Sequence, residues 1–320
     1  MIVPGEEYRD TERGHINLLG VREVIEPVST GGIGFPKVLE NSPPLHDVLN
    51  RARSLDALVG VAHAGIFGRH ATAVADVVLG AVDFWELSNG FIYSTETWYR
   101  LMNCGYFIPP AAGTDLPILP YRDKWQPMLG AVLNYVNTGG KTDFSSFKEA
   151  MAKGEGFITG GPIIGIEVDD RTAGETVKVP PSGGFITVRG HLFSPRVPGG
   201  LALIRDGVEV PVPIRKTVNN SVYEWRFEAQ VHFERSGWLA VQGRGSPIMA
   251  QGIQAMAHTG AVQIIVGDRP VRSAPDRDQL VRELRMKRNH YAAHGIYRTE
   301  AERDHALDLL DRAIEVLVRR

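Results

Sequence analysis

The chain has 320 residues, 43% of them hydrophobic and 22% charged, with a formal net charge of −2. That length holds one large domain or two ordinary ones, and the balanced charge offers no basic surface for nucleic acid or an anionic membrane. Cys104 is the single cysteine, which fits a reducing compartment and excludes an internal disulfide or a zinc site built from cysteines. No apolar run reaches the ~18 residues of a membrane span. Residues 1–20 lack the basic start and apolar core of a secretory leader, so the chain reads as cytoplasmic, with export open if residues precede Met1.

The opening "MIVPGEE" reads as a buried strand ended by Gly5, Glu6 and Glu7. "SPPLHDVLNRARSLDALVG" (42–60) reads as a helix with Leu45, Val48, Leu49 and Ala52 on one face and Ser42 as its cap. "LVGVAH" (58–63) and "AVDFWEL" (81–87) are short apolar strand runs. "SSFKEAMAKGEGFIT" (145–159) is a helix, a glycine stop and a strand. This alternation predicts a parallel α/β region from residue 1 to about 160. From 161 to 272 the texture changes. "YEWRFEAQV" (223–231) alternates strictly, and "FITVRGH", "LALIRDGVEV", "GWLAVQG" and "AVQIIVGD" are further strands, with Asp206-Gly207 as a hairpin turn. Strands without helices predict a small antiparallel β-sandwich. Residues 273–320 are helical: one helix stops at Gly295, Thr299 and Glu302 form a capping box, and Leu307, Leu310, Ile314 and Leu317 line one face of the last helix.

Four stretches carry candidate chemistry. In "PGEE…GHINLLG", a glutamate and His15 sit at adjacent strand ends, and a carboxylate with an imidazole can share Zn²⁺, Mn²⁺ or Fe²⁺; a solvated turn with a surface histidine is the plainer reading. In "GVAHAG", His63 ends an apolar strand among small residues that leave room for a ligand, as at the C-terminal mouth of a parallel barrel; a satisfied core histidine is the alternative. In "PPAAGTDLP", Asp115 leaves a strand end, or simply belongs to a turn of Gly, Asp and Pro. In "VDFWELSNG", Glu86 and Asn89, with Trp85 before them, are weak candidates for substrate contacts, or a helix cap.

Several motifs are missing. There is no Gly-x-Ser-x-Gly elbow, which disfavours a serine hydrolase, and no Rossmann fingerprint. "GGIGFP" (31–36) lacks the lysine of a phosphate loop. His290 and His294 stand four apart on a helix, but no glutamate follows His290, and they read as surface residues.

Taken in order, Gly5-Glu6-Glu7, Gly14-His15-Ile16-Asn17-Leu18-Leu19-Gly20, Ala62-His63-Ala64-Gly65 and Gly113-Thr114-Asp115 resemble the PHP (polymerase and histidinol phosphatase) superfamily of metal-dependent hydrolases, and within it the CehA/McbA family. "FITGGPIIGIEV" (157–168), "SGWLAVQG" (236–243) and "AMAHTGAVQIIVG" (255–267) extend the match over almost the whole chain. The resemblance implies an α/β fold: an incomplete PHP-type distorted (β/α)7 barrel over 1–160, an antiparallel β-sandwich over 161–272 and a C-terminal helical hairpin over 273–320. It implies Glu7, His15, His63 and Asp115 as ligands of divalent metal ions (Zn, Mn or Fe), and hydrolysis by a metal-activated water, with Asp115 as a candidate base.

Two departures stand out. The family's His-x-His and Asp-His pairs lie upstream of its Gly-x-Glu strand, where this sequence has only Met1–Pro4, and its histidine two places after the last aspartate is Pro117 here. A barrel without its first strands would leave "MIVPGEE" as an unpaired edge, so the expectation is that the native protein continues upstream of Met1. The expected substrate is a small ester, carbamate, amide or phosphoester. Trp85, Phe91, Tyr93, Trp98 and Tyr99 either line an apolar substrate pocket or belong to the core. The competing expectation is a catalytically inactive binding protein with a degenerate barrel, whose sandwich, with Trp225 and Trp238, holds a carbohydrate or a partner; Trp238 in "SGWLAV" reads more readily as sandwich core. No nucleic-acid or membrane partner is expected.

Overall fold

The computed structural model describes residues 2–10, 14–27, 29–30, 42–64, 73–89, 93–115, 129–247 and 254–320. Packing divides the chain into two units, Met1–Trp85 with Ser273–Arg320, and Glu86–Arg272. Residues 31–36, Gly65, Phe91 and Pro117, each named above, lie outside the described residues.

The first unit begins with β1 (Gly5–Asp10) and β2 (Gly14–Leu19), joined antiparallel so that Glu7 lies opposite Asn17 and Arg9 opposite His15. β3 (Ser29–Thr30) pairs in parallel with the other side of β1. The opening strand therefore starts where the sequence seemed to end it. Ile2 is 98% exposed, while Tyr8 and Asp10 are fully buried; alternation along Glu7-Tyr8-Arg9-Asp10, not the apolar start, makes the strand. β1 is also no edge, because β2 and β3 flank it.

α1 (Leu45–Ser54) buries the four predicted residues Leu45, Val48, Leu49 and Ala52. Its cap position is Pro44, which makes no side-chain capping bond, and Ser42 lies two residues further out. Two prolines intervene, and their fixed φ carries the chain directly into the first turn. The helix ends early enough for β4 (Leu58–Val61), a fully buried strand. β4 pairs antiparallel with β2, and in parallel with β5 (Phe84–Ser88) after α2 (Ala73–Val78). The expected all-parallel arrangement is thus replaced by a mixed one, since β2 runs against both of its neighbours.

The second unit is mostly strands. After α3 (Glu96–Asn103) come β6 (Pro110–Ala112), β7 (Leu133–Val136), α4 (Phe144–Lys153) and β8 (Gly156–Thr159). Asp143 caps α4 by accepting from the Ser146 amide, and Gly154 ends it at φ 74°, the left-handed stop that "AKGEG" announces. Then follow β9 (Ile163–Val168), β10 (Arg171–Thr172), β11 (Thr176–Val179), β12 (Gly184–Ser194), β13 (Gly200–Arg205), β14 (Val208–Val210), β15 (Arg215–Asn219), β16 (Val222–Phe233), β17 (Gly237–Pro247), β18 (Gln254–Thr259) and β19 (Val262–Val266).

One sheet runs β10-β9-β12-β16-β15. The other runs β11-β19-β17-β18-β8-β7, with β13 paired to β17 and β14 to β13. Residues from both sheets, among them Ile164, Val188 and Phe227 from the first and Leu203, Val241 and Ile264 from the second, form a single core cluster. Asp206 and Gly207 make the predicted two-residue hairpin turn, both at positive φ, with Arg205 opposite Val208. The expected division near residue 160 does not follow the packing. β7 and β8 hydrogen-bond into the sheet of β18, and α3 packs on β17, so α3, β7 and β8 belong with the strands that follow.

The chain returns to the first unit with α5 (Ala274–His294) and α6 (Glu300–Arg319), the predicted C-terminal helix pair. Ser273 and Thr299 cap them by accepting from the Asp276 and Glu302 amides. Leu307, Leu310, Ile314 and Leu317 are buried as predicted, and α6 packs on α5 and α2. Among the described residues no sheet closes into a barrel, and no helix is long and apolar enough to cross a membrane.

Candidate metal centre

Three of the four residues singled out as ligands meet in the first unit. Glu7 on β1 and His15 on β2 lie diagonally across the ladder, because His15 faces Arg9 and Glu7 faces Asn17, so both side chains share one face. His63 follows β4, which is held to β2 by the Ile16–Val61 pairing and by the Ala62 amide donating to the His15 carbonyl at 3.0 Å. Its φ is 32°, in the left-handed region. Every other described non-glycine residue at positive φ is Asp, Asn or Ser, the types that tolerate it in turns. A histidine held there costs about 1–3 kcal/mol, and this kink turns its ring toward Glu7.

His15 Nδ1 is 2.7 Å from Glu7 Oε1 and 2.9 Å from His63 Nε2, and His63 Nε2 is 3.7 Å from the same carboxylate oxygen. The rings stand edge to face with centroids 4.7 Å apart. All three side chains are partly buried, His63 most deeply. The Glu7 carboxyl is held well below the usual carboxylate range, first by its hydrogen bonds to His15 and His63, then by the charges of His15 and Arg9, against the opposing effect of burial.

Protons serve this triangle poorly. A hydrogen on each of His15 Nδ1 and His63 Nε2 satisfies the Glu7 carboxylate but sets two N–H groups against each other at 2.9 Å. A divalent cation serves all three. Tetrahedral Zn²⁺ bonds of about 2.0–2.1 Å place ligand atoms about 3.3 Å apart, close to the separations seen here, and two histidines with one glutamate leave a fourth position open. The donor set fits a borderline metal ion and is too rich in nitrogen for Mg²⁺ or Ca²⁺.

Asp115 is in the second unit, exposed, at φ 46° beyond β6. The Asn89 side-chain amide donates to its Oδ2 at 3.5 Å. Glu86 and Asn89 are 3% and 2% exposed. Neither is a helix cap: the Glu86 carboxylate lies where a Cβ on Gly113 would come within 2.3 Å of it. Trp85 and Trp98 are buried, and Trp98 donates from Nε1 to the Ile108 carbonyl. Tyr99 and Tyr93 bond His258 and Gln242, so these aromatic groups are packing rather than pocket wall. Trp225 and Trp238 are 9% and 0% exposed and are likewise core. His290 and His294 are exposed on α5 and belong to no ligand group of three.

One neighbour was not anticipated. Arg9 Nε sits 3.5 Å from Glu7 Oε1. Strand alternation places it on the face of Glu7, but only once β1 is known to run past Glu7 to Asp10. No family model matches the chain, and no curated protein does.

Proposed function

We propose that this protein is a metal-dependent hydrolase of the PHP kind, acting on a small ester, carbamate, amide or phosphoester. The convergence of Glu7, His15 and His63 within 4.8 Å of one another carries this reading. Three of the residues that the resemblance picks out come together in space, in a His₂Glu set suited to a catalytic ion. On this reading the two sheets of the second unit are the β-sandwich that accompanies the family's hydrolase domain. Asp115 enters through the resemblance alone.

The chain's own residues have definite tasks. Glu7 stays ionised and brings a negative charge to the group, and Arg9 steadies that carboxylate from the side. His15 and His63 present one ring nitrogen each, and the β2–β4 ladder fixes their spacing before any ion arrives. A bound divalent ion would supply Lewis acidity and bring the pKa of water toward ~7.

Metal content of the full chain, measured by elemental mass spectrometry, tests the proposal. About one equivalent of Zn, Mn or Fe is expected, lost in His63→Ala and in Glu7→Gln. Hydrolysis of aryl esters and carbamates should be lost with it. A folded wild-type chain that takes up none of these metals overturns the proposal and favours the non-catalytic binding protein.

A further inference from the structure

A cavity of about 830 Å³ lies wholly within the second unit. Its wall includes the outward-facing side of the β10-β9-β12-β16-β15 sheet. Along one row of that sheet, Gly165, His191, Arg226 and Arg215 are successive cross-strand partners. Two arginines thus stand directly opposite each other on adjacent strands, their backbones about 5 Å apart. Like charges so placed repel unless something negative lies between them.

The carboxylates of the cavity are already engaged. Arg189 bonds Glu167 at 2.6 Å and Glu228 at 3.0 Å, and Glu155 lies 3.8 Å from Lys153. Arg226 has only a loose 3.7 Å approach to Glu224 and a stacking contact with Phe193, and Arg215 has no ion pair among the described residues. His191 lies flat on the β9 backbone, where a Cβ on Gly165 would come within 2.3 Å of its ring, so this glycine keeps the floor open. Burial, and then the charge of Arg226, holds the imidazole below its ordinary pKa, leaving a neutral ring that can donate or accept. Another wall is aromatic: Tyr135 and Phe157, cross-strand partners on β7 and β8, stack at 4.9 Å with planes 4° apart, and Tyr135 is 43% exposed.

We propose that this cavity binds a small organic anion with a flat apolar body, an aryl carboxylate in chemical class. The carboxylate takes the place between Arg226 and Arg215, where a planar guanidinium matches it in two-point fashion. The ring system lies against the Tyr135–Phe157 wall. None of the residues lining the cavity belongs to the Glu7-His15-His63 group, and binding needs no metal.

Isothermal titration calorimetry on the full chain with 2-naphthoate, and with its uncharged isostere 2-naphthamide, tests the inference. Saturable one-to-one binding of the acid is expected, with the amide weaker by about tenfold or more. Arg215→Met, an exposed position on the terminal strand β15, should weaken the acid by a similar factor and leave the amide unchanged. Tyr135→Ala should weaken both. Equal affinity for acid and amide on the wild-type chain overturns the proposal without need of any variant, as does an absence of saturable binding or an Arg215→Met chain that binds the acid as well as wild type.

Discussion

His258 makes acid stability a sharp test of the second unit's packing. Its side chain is fully buried. Nδ1 lies 2.7 Å from the Thr259 carbonyl, so that nitrogen carries the hydrogen, and Nε2 accepts from the Tyr99 hydroxyl at 2.8 Å. The Trp98 ring meets it edge to face at 5.0 Å. Burial lowers the imidazole pKa to about 4 from an ordinary 6.5, with the Thr259 hydrogen bond opposing the shift. Below pH 6.5 the unfolded chain therefore binds a proton that the native ring refuses, and stability falls until about pH 4, where both forms are protonated. Between pH 7 and 4.5 this linkage removes roughly 2 kcal/mol. His258→Gln keeps a donor and an acceptor but does not titrate. Urea unfolding followed by tryptophan fluorescence, repeated at several pH values, gives the comparison. The stability gap between wild type and variant should close by about that amount as pH falls. Parallel pH slopes for the two proteins would refute a neutral, buried His258.

Three further outcomes are expected. Adding Zn²⁺ at about a hundred times its dissociation constant should stabilise the wild-type chain by about 2.7 kcal/mol in thermal unfolding; a chelator should reverse the gain, and His63→Ala should show none. Gly60→Ala should destabilise the first unit by about 1–3 kcal/mol, because the new Cβ would come within 2.0 Å of the Phe84 ring inside a fully buried strand; unchanged unfolding in urea would contradict that packing. Thr299→Ala removes the cap of α6 and should cost about 1 kcal/mol, while Thr299→Ser should restore most of it.

Local signals in the sequence were read more accurately than pairings. The buried face of α1, the glycine stop of α4, the Asp206-Gly207 turn and the cap of α6 depend on a few neighbouring residues, and each appears as predicted. Strand direction is different. Whether β2 runs with or against β4 depends on the path between them, and no residue within either strand encodes it. The parallel expectation failed there. The same distinction applies to the candidate site. His15 and His63 were legible because each stands beside the end of a short strand, while Glu7, within β1, was picked out only by the resemblance to a Gly-x-Glu motif. The buried role of Trp238 was legible, but those of Trp85 and Trp98 were not, since an aromatic residue looks alike in sequence whether it faces a cavity or a core. The Arg226–Arg215 row was visible only in part: alternation in "YEWRFEAQV" puts Arg226 on the outward face, but only the β15–β16 register brings Arg215 opposite it.

The first unit is assembled from both ends of this sequence, with the whole second unit lying between them along the chain. On a ribosome the strands bearing Glu7, His15 and His63 emerge early, yet α5 and α6 follow only after Glu86–Arg272 has been synthesised, roughly ten to forty seconds later at 5–20 residues per second. The contiguous second unit can close first, while α2, the helix that α5 and α6 cover, waits with its apolar residues open. This interval is where chaperone dependence and aggregation of the nascent chain should concentrate. A stop codon near residue 273 would accordingly injure the part of the molecule built from its beginning and leave the later-made sheets whole.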